Sequence, residues 1–147
     1  CEKSYDNILS FTDLSKISIT SLNFTKEFFE KSSIKVIHAY KQLNDFVLTF
    51  HNSLEQKDEI QKDIILKAKE RFEEFKKENN IVNAELIEVY NGVSQVLLAK
   101  AEEENKDLVS LGSNGVKNAG SFLYGSTSLY MMENVTSDIL IYVPKEA

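Results

Sequence analysis

Four of the five glycines of this chain fall in one segment, DLVSLGSNGVKNAGSFLYGSTS, as Gly112, Gly115, Gly120 and Gly125. Glycine costs backbone entropy wherever it stands, so a glycine-poor sequence places it where a positive φ or the close approach of a ligand requires it. The segment follows a short apolar run and ends in Ser126 and Thr127, hydroxyl residues suited to a helix start. A strand, a glycine loop and a helix start together aim backbone N–H groups and a helix N-terminus at one point, which suits an anion such as a phosphate.

Spacing separates the phosphate cradles that this segment could form. Gly120 and Gly125 flank four residues as in a Walker A loop, but the phosphate-gripping lysine of that motif is replaced by Ser126. A dinucleotide fingerprint fails as well, because no third glycine stands three residues beyond the second. What remains is Gly112, Gly115 and Gly125 with Ser126, and Gly120 as spacer. Gly112 and Gly115 would let the backbone turn tightly and approach phosphate oxygens. Ser126 would donate its hydroxyl and N–H, and Thr127 a neighbouring N–H. The bland alternative is a glycine turn that only joins a strand to a helix. Lys117 is either a local positive charge for the phosphate or an ordinary exposed lysine.

Other chemistry is thinly represented. No Ser–His–Asp or Cys–His constellation has a recognisable spacing, so no catalytic residue is assigned. Cys1 is the only cysteine, which excludes an intrachain disulfide in this sequence and a zinc cluster of several thiolates. His38 sits in an apolar run and His51 in an irregular stretch, a pattern of packing and surface rather than of a metal site. Tyr124, Tyr130, Met131 and Met132 read as core or interface residues.

The elements that must position the glycine segment alternate in strand–helix order, which predicts a parallel sheet covered on both faces. Strands are expected over Asn7–Thr12, Ser33–Tyr40, Ala84–Tyr90, Asp107–Leu111 and Asp138–Val143. The first ends in Asp13 and Ser15, both competent helix caps. Helices are expected from about Ile17 to Lys31, with Ile19, Leu22, Phe28 and Phe29 as the inward set, and over Lys57–Asn79, with Ile60, Ile64, Ala68, Phe72 and Phe75 on one stripe. Two more are expected over Ser94–Asn105, with Val96, Leu97 and Ala101 inward, and Ser126–Asn134. The acidic AEEENK end of the third helix reads as a solvated face. Lys41–Gln56 has no clean period and reads as a loop.

The 147 residues suit a single domain, 42% hydrophobic and 27% charged, and no apolar stretch approaches the length of a membrane span. A formal net charge of −6 argues against a general nucleic-acid surface. The first residues, CEKSYDN, lack the apolar core of a signal peptide, and a reducing cytoplasm is the expected home.

The order glycine, two residues, glycine, nine residues, glycine, serine resembles the ATP-binding class of the universal stress protein family. The resemblance extends to YDNILSFTDLS as the first strand with its acidic turn, IKVIHAY as the second, and IEVYNGVSQVLLAKAEEENKDLVSLGSNG as the third through the fourth, covering nearly the whole chain in family order. It implies a Rossmann-like three-layer α/β sandwich of the adenine nucleotide alpha hydrolase type, its five-stranded parallel sheet ordered 3-2-1-4-5. It also implies ATP as the ligand, with Mg²⁺ carried on the phosphates, and phosphate contacts at Gly112, Gly115, Gly125, Ser126 and Thr127. Asp13, beside the topological switch point, would contact the nucleoside, and the backbone of Ala39 and Tyr40 the adenine. Gly92 would either lie against the ribose or only turn the chain. A homodimer through the last strand, Ile139 to Val143, is implied, and a bare apolar edge gives that pairing an independent motive. The implied role is a nucleotide-gated regulator in the stress response with at most slow ATP turnover; the alternative is a nucleotide-free dimeric interaction module. Two departures stand out: Val116 where the family often has a basic residue, and Ser137-Asp138 where it often has Cys-Pro.

Overall fold

The computed structural model describes residues 4–41, 54–90, 92–113 and 126–144. Among these residues five strands, β1 (Asn7–Thr12), β2 (Ser33–Lys41), β3 (Ala84–Val89), β4 (Leu108–Gly112) and β5 (Asp138–Tyr142), alternate with four helices, α1 (Lys16–Phe28), α2 (Leu54–Glu78), α3 (Val93–Glu104) and α4 (Ser126–Asn134). The sheet order is β3-β2-β1-β4-β5, and each neighbouring pair is parallel. The predicted architecture is the observed one.

Apolar side chains leave the sheet on both faces, as parallel strands require. On one face Leu9, Phe11, Ile37, Val109 and Leu111 meet Leu97 and Ala101 of α3 and Met131 of α4. On the other, Val36 meets Leu22 of α1 and Phe72 and Phe75 of α2, with Ile81 closing the layer. Full burial of a side chain of this size contributes about 1.5–3 kcal/mol, so these two layers supply most of the driving force for folding.

α1 keeps part of its expected inward set, Leu22 buried and Ile19 packed against the same layer, and departs from the rest. Its buried residues are Ser18, Ser21, Leu22 and Thr25, whereas Phe28 is 68% exposed and stacks on Phe24 at 5.7 Å. Small hydroxyl side chains let the helix lie close on β1 and β4, and a ring does not fit between. Two hydroxyl pairs meet across that seam: Thr12 Oγ1 lies 2.8 Å from Ser18 Oγ, and Thr25 Oγ1 lies 2.7 Å from Ser110 Oγ. Gly112 completes the fit, because a Cβ there would lie 3.1 Å from Ile17 Cγ2, 3.2 Å from the Ile17 carbonyl oxygen and 3.2 Å from Ser21 Cβ.

The acidic end of α3 is not merely solvated. Glu104 pairs with Lys35 of β2 and, at 3.4 Å, with Lys100, while Glu85 of β3 binds both lysines at 2.9–3.0 Å. The lysine hydrogen bonds, Lys100 to Glu85 and Lys35 to Glu104, hold both carboxyls below the usual glutamate range despite some burial. Several element ends shift by one residue, and two shift by three. The helix expected to reach Lys31 stops at Phe28, and the one expected from Lys57 begins at Leu54. Most of the expected loop Lys41–Gln56, with His51, lies outside the described residues.

His38 lies half-buried on β2, its ring stacked on Phe72 at 5.9 Å and its Nδ1 2.9 Å from the Thr12 carbonyl oxygen. Burial pushes its pKa below the ordinary 6.5, outweighing the Thr12 carbonyl and the Asp13 charge, which act the other way; Arg71 adds to the depression. The native ring therefore binds fewer protons than the unfolded one just below pH 6.5. Its contribution to stability is complete above that pH and is lost as pH falls towards the folded-state pKa. Urea denaturation at a series of pH values should show this loss in the natural protein and not in His38→Phe; parallel curves for the two would contradict it. A second expectation concerns the α1 seam: Gly112→Ala should destabilise by about 1 kcal/mol and Gly112→Val by about 2–3 kcal/mol, the range of overpacked sites. Unchanged denaturation midpoints would rule out the close approach of α1.

Candidate functional site

Every strand of a parallel sheet ends at the same rim, and every following helix begins there. Ligands bind such sheets where the strand order reverses, between β1 and β4 here. A cavity of about 240 Å³ lies at that point. Phe11, Thr12 and Asp13 reach it from the end of β1, Ile37 and Ala39 from β2, and Leu111, Gly112 and Ser113 from β4. The first turns of α1, α3 and α4 supply Ser15, Ser18, Val93, Thr127 and Ser128.

The turn after β1 is built to hold Asp13. The Leu14 N–H donates to Thr12 Oγ1 at 3.0 Å, and the Ser15 N–H donates to Asp13 Oδ1 at 2.9 Å. Ser15, not Asp13, is the N-cap of α1, its hydroxyl accepting from the Ser18 N–H at 3.3 Å. Asp13 instead closes an Asx turn ahead of the cap. Leu14 has φ 66°, a left-handed conformation that costs a non-glycine residue roughly 1–2 kcal/mol. Its side chain packs against the α1–α2 layer, which helps hold it there. Burial raises the Asp13 pKa, but hydrogen bonds from the Ser15 hydroxyl and amide and from Ser18 prevail, and the group sits below the usual aspartate value. It is an ionised acceptor at neutral pH.

The opposite wall is set by β4 and α4. The Ser113 N–H donates to the Tyr142 carbonyl at 2.8 Å, extending the β4–β5 pairing into the start of the glycine segment. Ser94 Oγ donates to Thr127 Oγ1 at 3.2 Å, tying the first turns of α3 and α4 together. The first turns of three helices thus line the cavity, and a helix N-terminus in general leaves its first N–H groups without an intrahelical acceptor. Such termini favour negative charge. No lysine or arginine lines the cavity among the described residues, and Asp13 is its one titratable group.

Of the residues singled out from sequence, Asp13, Ala39, Gly112 and Thr127 come together around this cavity, and Tyr40 does not line it. The backbone of Ser126 opens α4. Gly115 and Gly125, with Val116, Lys117, Gly120 and Tyr124, lie outside the described residues. Gly92 is absent from the cavity wall; at φ 67° it turns the chain into α3, and a Cβ there would meet Gln95 Oε1 at 2.7 Å. Sequence reasoning missed the hydroxyls of Thr12, Ser18, Ser113 and Ser128 and the apolar side chains of Ile37, Val93 and Leu97. Strand alternation carried part of that signal, since Ile37 shares a face with Ala39. Among the described residues no group of three or more His, Cys, Asp or Glu could hold a metal ion, and no helix is long and apolar enough to cross a membrane.

Comparison with solved structures finds the same fold repeatedly. The hypothetical protein MJ0577 superposes with a TM-score of 0.72 at 24% identity, the match covering 99% of this chain and 100% of that one. UspA, a universal stress protein from Lactobacillus plantarum, gives 0.68 at 15% identity over 95% and 99% of the two chains. A universal stress protein solved in complex with cAMP gives 0.59 at 17% identity over 95% and 98%. No curated protein matches at a significant level. The sequence profile of the universal stress protein family matches residues 4–143, so the chain, with its 3-2-1-4-5 sheet and its cavity at the β1–β4 switch point, belongs to the universal stress protein family.

Proposed function

We propose that the cavity binds an adenine nucleotide, ATP, and that the chain is a single nucleotide-gated regulatory domain. It would act in the cytoplasm as a homodimer in the stress response. The observation that carries this reading is the convergence of Asp13, Ala39, Gly112 and Thr127, from four separate segments, on one cavity at the switch point. Membership of the family supports it, as does the solved relative bound to cAMP, itself an adenine nucleotide.

The chemistry divides the nucleotide among the walls. Asp13, ionised and able only to accept, suits ribose hydroxyls and repels phosphate. Ala39, with the apolar surface of Ile37, Val93 and Leu97, suits the base. Phosphates belong at Gly112, Gly115, Gly125, Ser126 and Thr127, where backbone N–H groups and the α4 terminus replace cationic side chains. Mg²⁺, which would neutralise phosphate charge, would ride on the nucleotide and on water, as this ion commonly does. Turnover is at most slow, because the one titratable group in the described wall is a carboxylate held at low pKa and therefore a weak base.

A second reading, a nucleotide-free dimeric module of the same fold, is favoured by Val116 standing where a basic residue would strengthen phosphate binding. In either reading the dimer forms through the last strand, Ile139 to Val143. β5 is the edge of the described sheet, half-buried along its length, with Tyr142 packed at 5.6 Å on Phe24.

Protein recovered from cells, denatured and chromatographed should release adenine nucleotide, and the emptied protein should bind ATP by calorimetry. Asp13→Ala should weaken that binding at least tenfold, the value of a charge-assisted hydrogen bond of about 1.5 kcal/mol or more. The pair Gly115→Val and Ser126→Ala should abolish it while folding and dimerisation persist. An unmodified protein that neither carries nor binds nucleotide establishes the second reading. Light scattering should give the mass of two chains, and the mass of one would remove the dimer from both.

A further inference from the structure

His38 is used by neither the core nor the cavity wall in the ordinary way. Its register partner on β1 is Thr12, the last residue before the Asp13 turn. Its Nδ1 lies 2.9 Å from the Thr12 carbonyl oxygen. A carbonyl only accepts, so Nδ1 carries the proton and donates. Two residues further on stands Leu14 in the left-handed region. A conformation of that kind persists only where its surroundings over-determine it. Thr12 Oγ1 holds the Leu14 N–H, and the Asp13 carboxylate holds the Ser15 N–H. Both of these bonds lie inside the turn. The His38 bond is different, since it ties the turn's first carbonyl to the neighbouring strand.

We propose that His38 is a positioning residue for the nucleotide site: its Nδ1–H anchors the Thr12 carbonyl, which fixes the start of the turn that aims Asp13 into the cavity. The proposal rests on the nucleotide reading for its effect on affinity, but the anchoring itself does not. The ring has a second function, packing on Phe72, and the two can be pulled apart. His38→Phe keeps an aromatic ring against Phe72 and removes the donor. His38→Asn places an amide N–H near the position of Nδ1 and removes the ring. Asp13 and Arg71 are the charged groups felt by the ring, and neither variant alters them.

The test has two independent parts. On the natural protein, imidazole ¹⁵N shifts at pH 7.5 should show Nδ1 protonated and Nε2 bare; the opposite tautomer overturns the anchor whether or not the protein binds nucleotide. ATP titration should then show His38→Phe weakened by roughly tenfold, the upper range for one hydrogen bond, with His38→Asn within about threefold of the natural protein. Urea denaturation should rank the two the other way, Asn being the less stable. Equal ATP affinity in His38→Phe and the natural protein overturns the proposal, as does loss of affinity in both variants that follows stability. Should His38→Asn fail to fold, the ¹⁵N shifts and His38→Phe still decide. Absence of ATP binding by the natural protein would count against the nucleotide reading, and the tautomer would still test the anchor.

Discussion

The close seating of α1 on β1 and β4 is the constraint from which the rest of the structure follows. A helix usually rests on a sheet through an apolar stripe of larger side chains. Here Ser18, Ser21 and Thr25 face the sheet with Leu22, and Gly112 offers no Cβ to keep Ile17 and Ser21 at a distance. Hydroxyls are short enough to permit this approach, but each must then find a partner, because an unpaired buried hydroxyl costs about 1–3 kcal/mol. Thr12 with Ser18 and Thr25 with Ser110 meet that demand; the Ser21 hydroxyl is buried without a partner among the described residues. The seam that results fixes the first turn of α1 over the ends of β1 and β4, and four of its residues, Thr12, Ile17, Ser18 and Gly112, also line the cavity.

The fold was legible because its signals were periodic. Strand β1 and helix α4 have the expected ends, and the alternation of strands with amphipathic helices led directly to a parallel sheet. In α1 the inward residues Leu22 and Ile19 follow the periodicity, and Phe28 departs from it for a physical reason: periodicity counts hydrophobic residues, while a closely seated helix selects small ones. Phe28 has the spacing of a core residue and is exposed; Ser18 and Thr25 are polar and are buried. The acidic end of α3 was misread differently. Of the partners of Glu104, Lys100 stands one turn before it on the same helix, but Lys35 is distant in sequence and Glu85 joins only through the two lysines, so local spacing exposed only part of the network.

The candidate site was legible in part, and the division again has a cause. Asp13, Gly112 and Thr127 follow strands or open helices, positions that chain order alone assigns to one rim. Ala39 follows by register, and Tyr40, one residue on, has its side chain on the opposite face of the strand, which is why a pair named together from sequence separates at the cavity. Gly112 carries two demands at once. Its place at the end of β4 fits a ligand's approach, but the contacts a Cβ would make are with α1, so its missing side chain is already required by packing. The absence of a side chain at Gly112 therefore does not by itself argue for a phosphate.

Electrostatics then decides what kind of anion the described walls can hold. Each helix N-terminus contributes about 0.3–1 kcal/mol towards a negative group at the surface, and up to about 2 kcal/mol when partly buried. Three such termini compare with the pull of a single well-placed cation, but Asp13, charged and on the same rim, opposes any phosphate set close to it. The balance favours a ligand whose negative end lies away from Asp13, towards α4, and whose near end carries hydroxyl donors. A free phosphate has only the first of these properties. The proposed nucleotide would have both, separated by the length of a ribose, and would gain from the acidic turn that a simple anion must avoid.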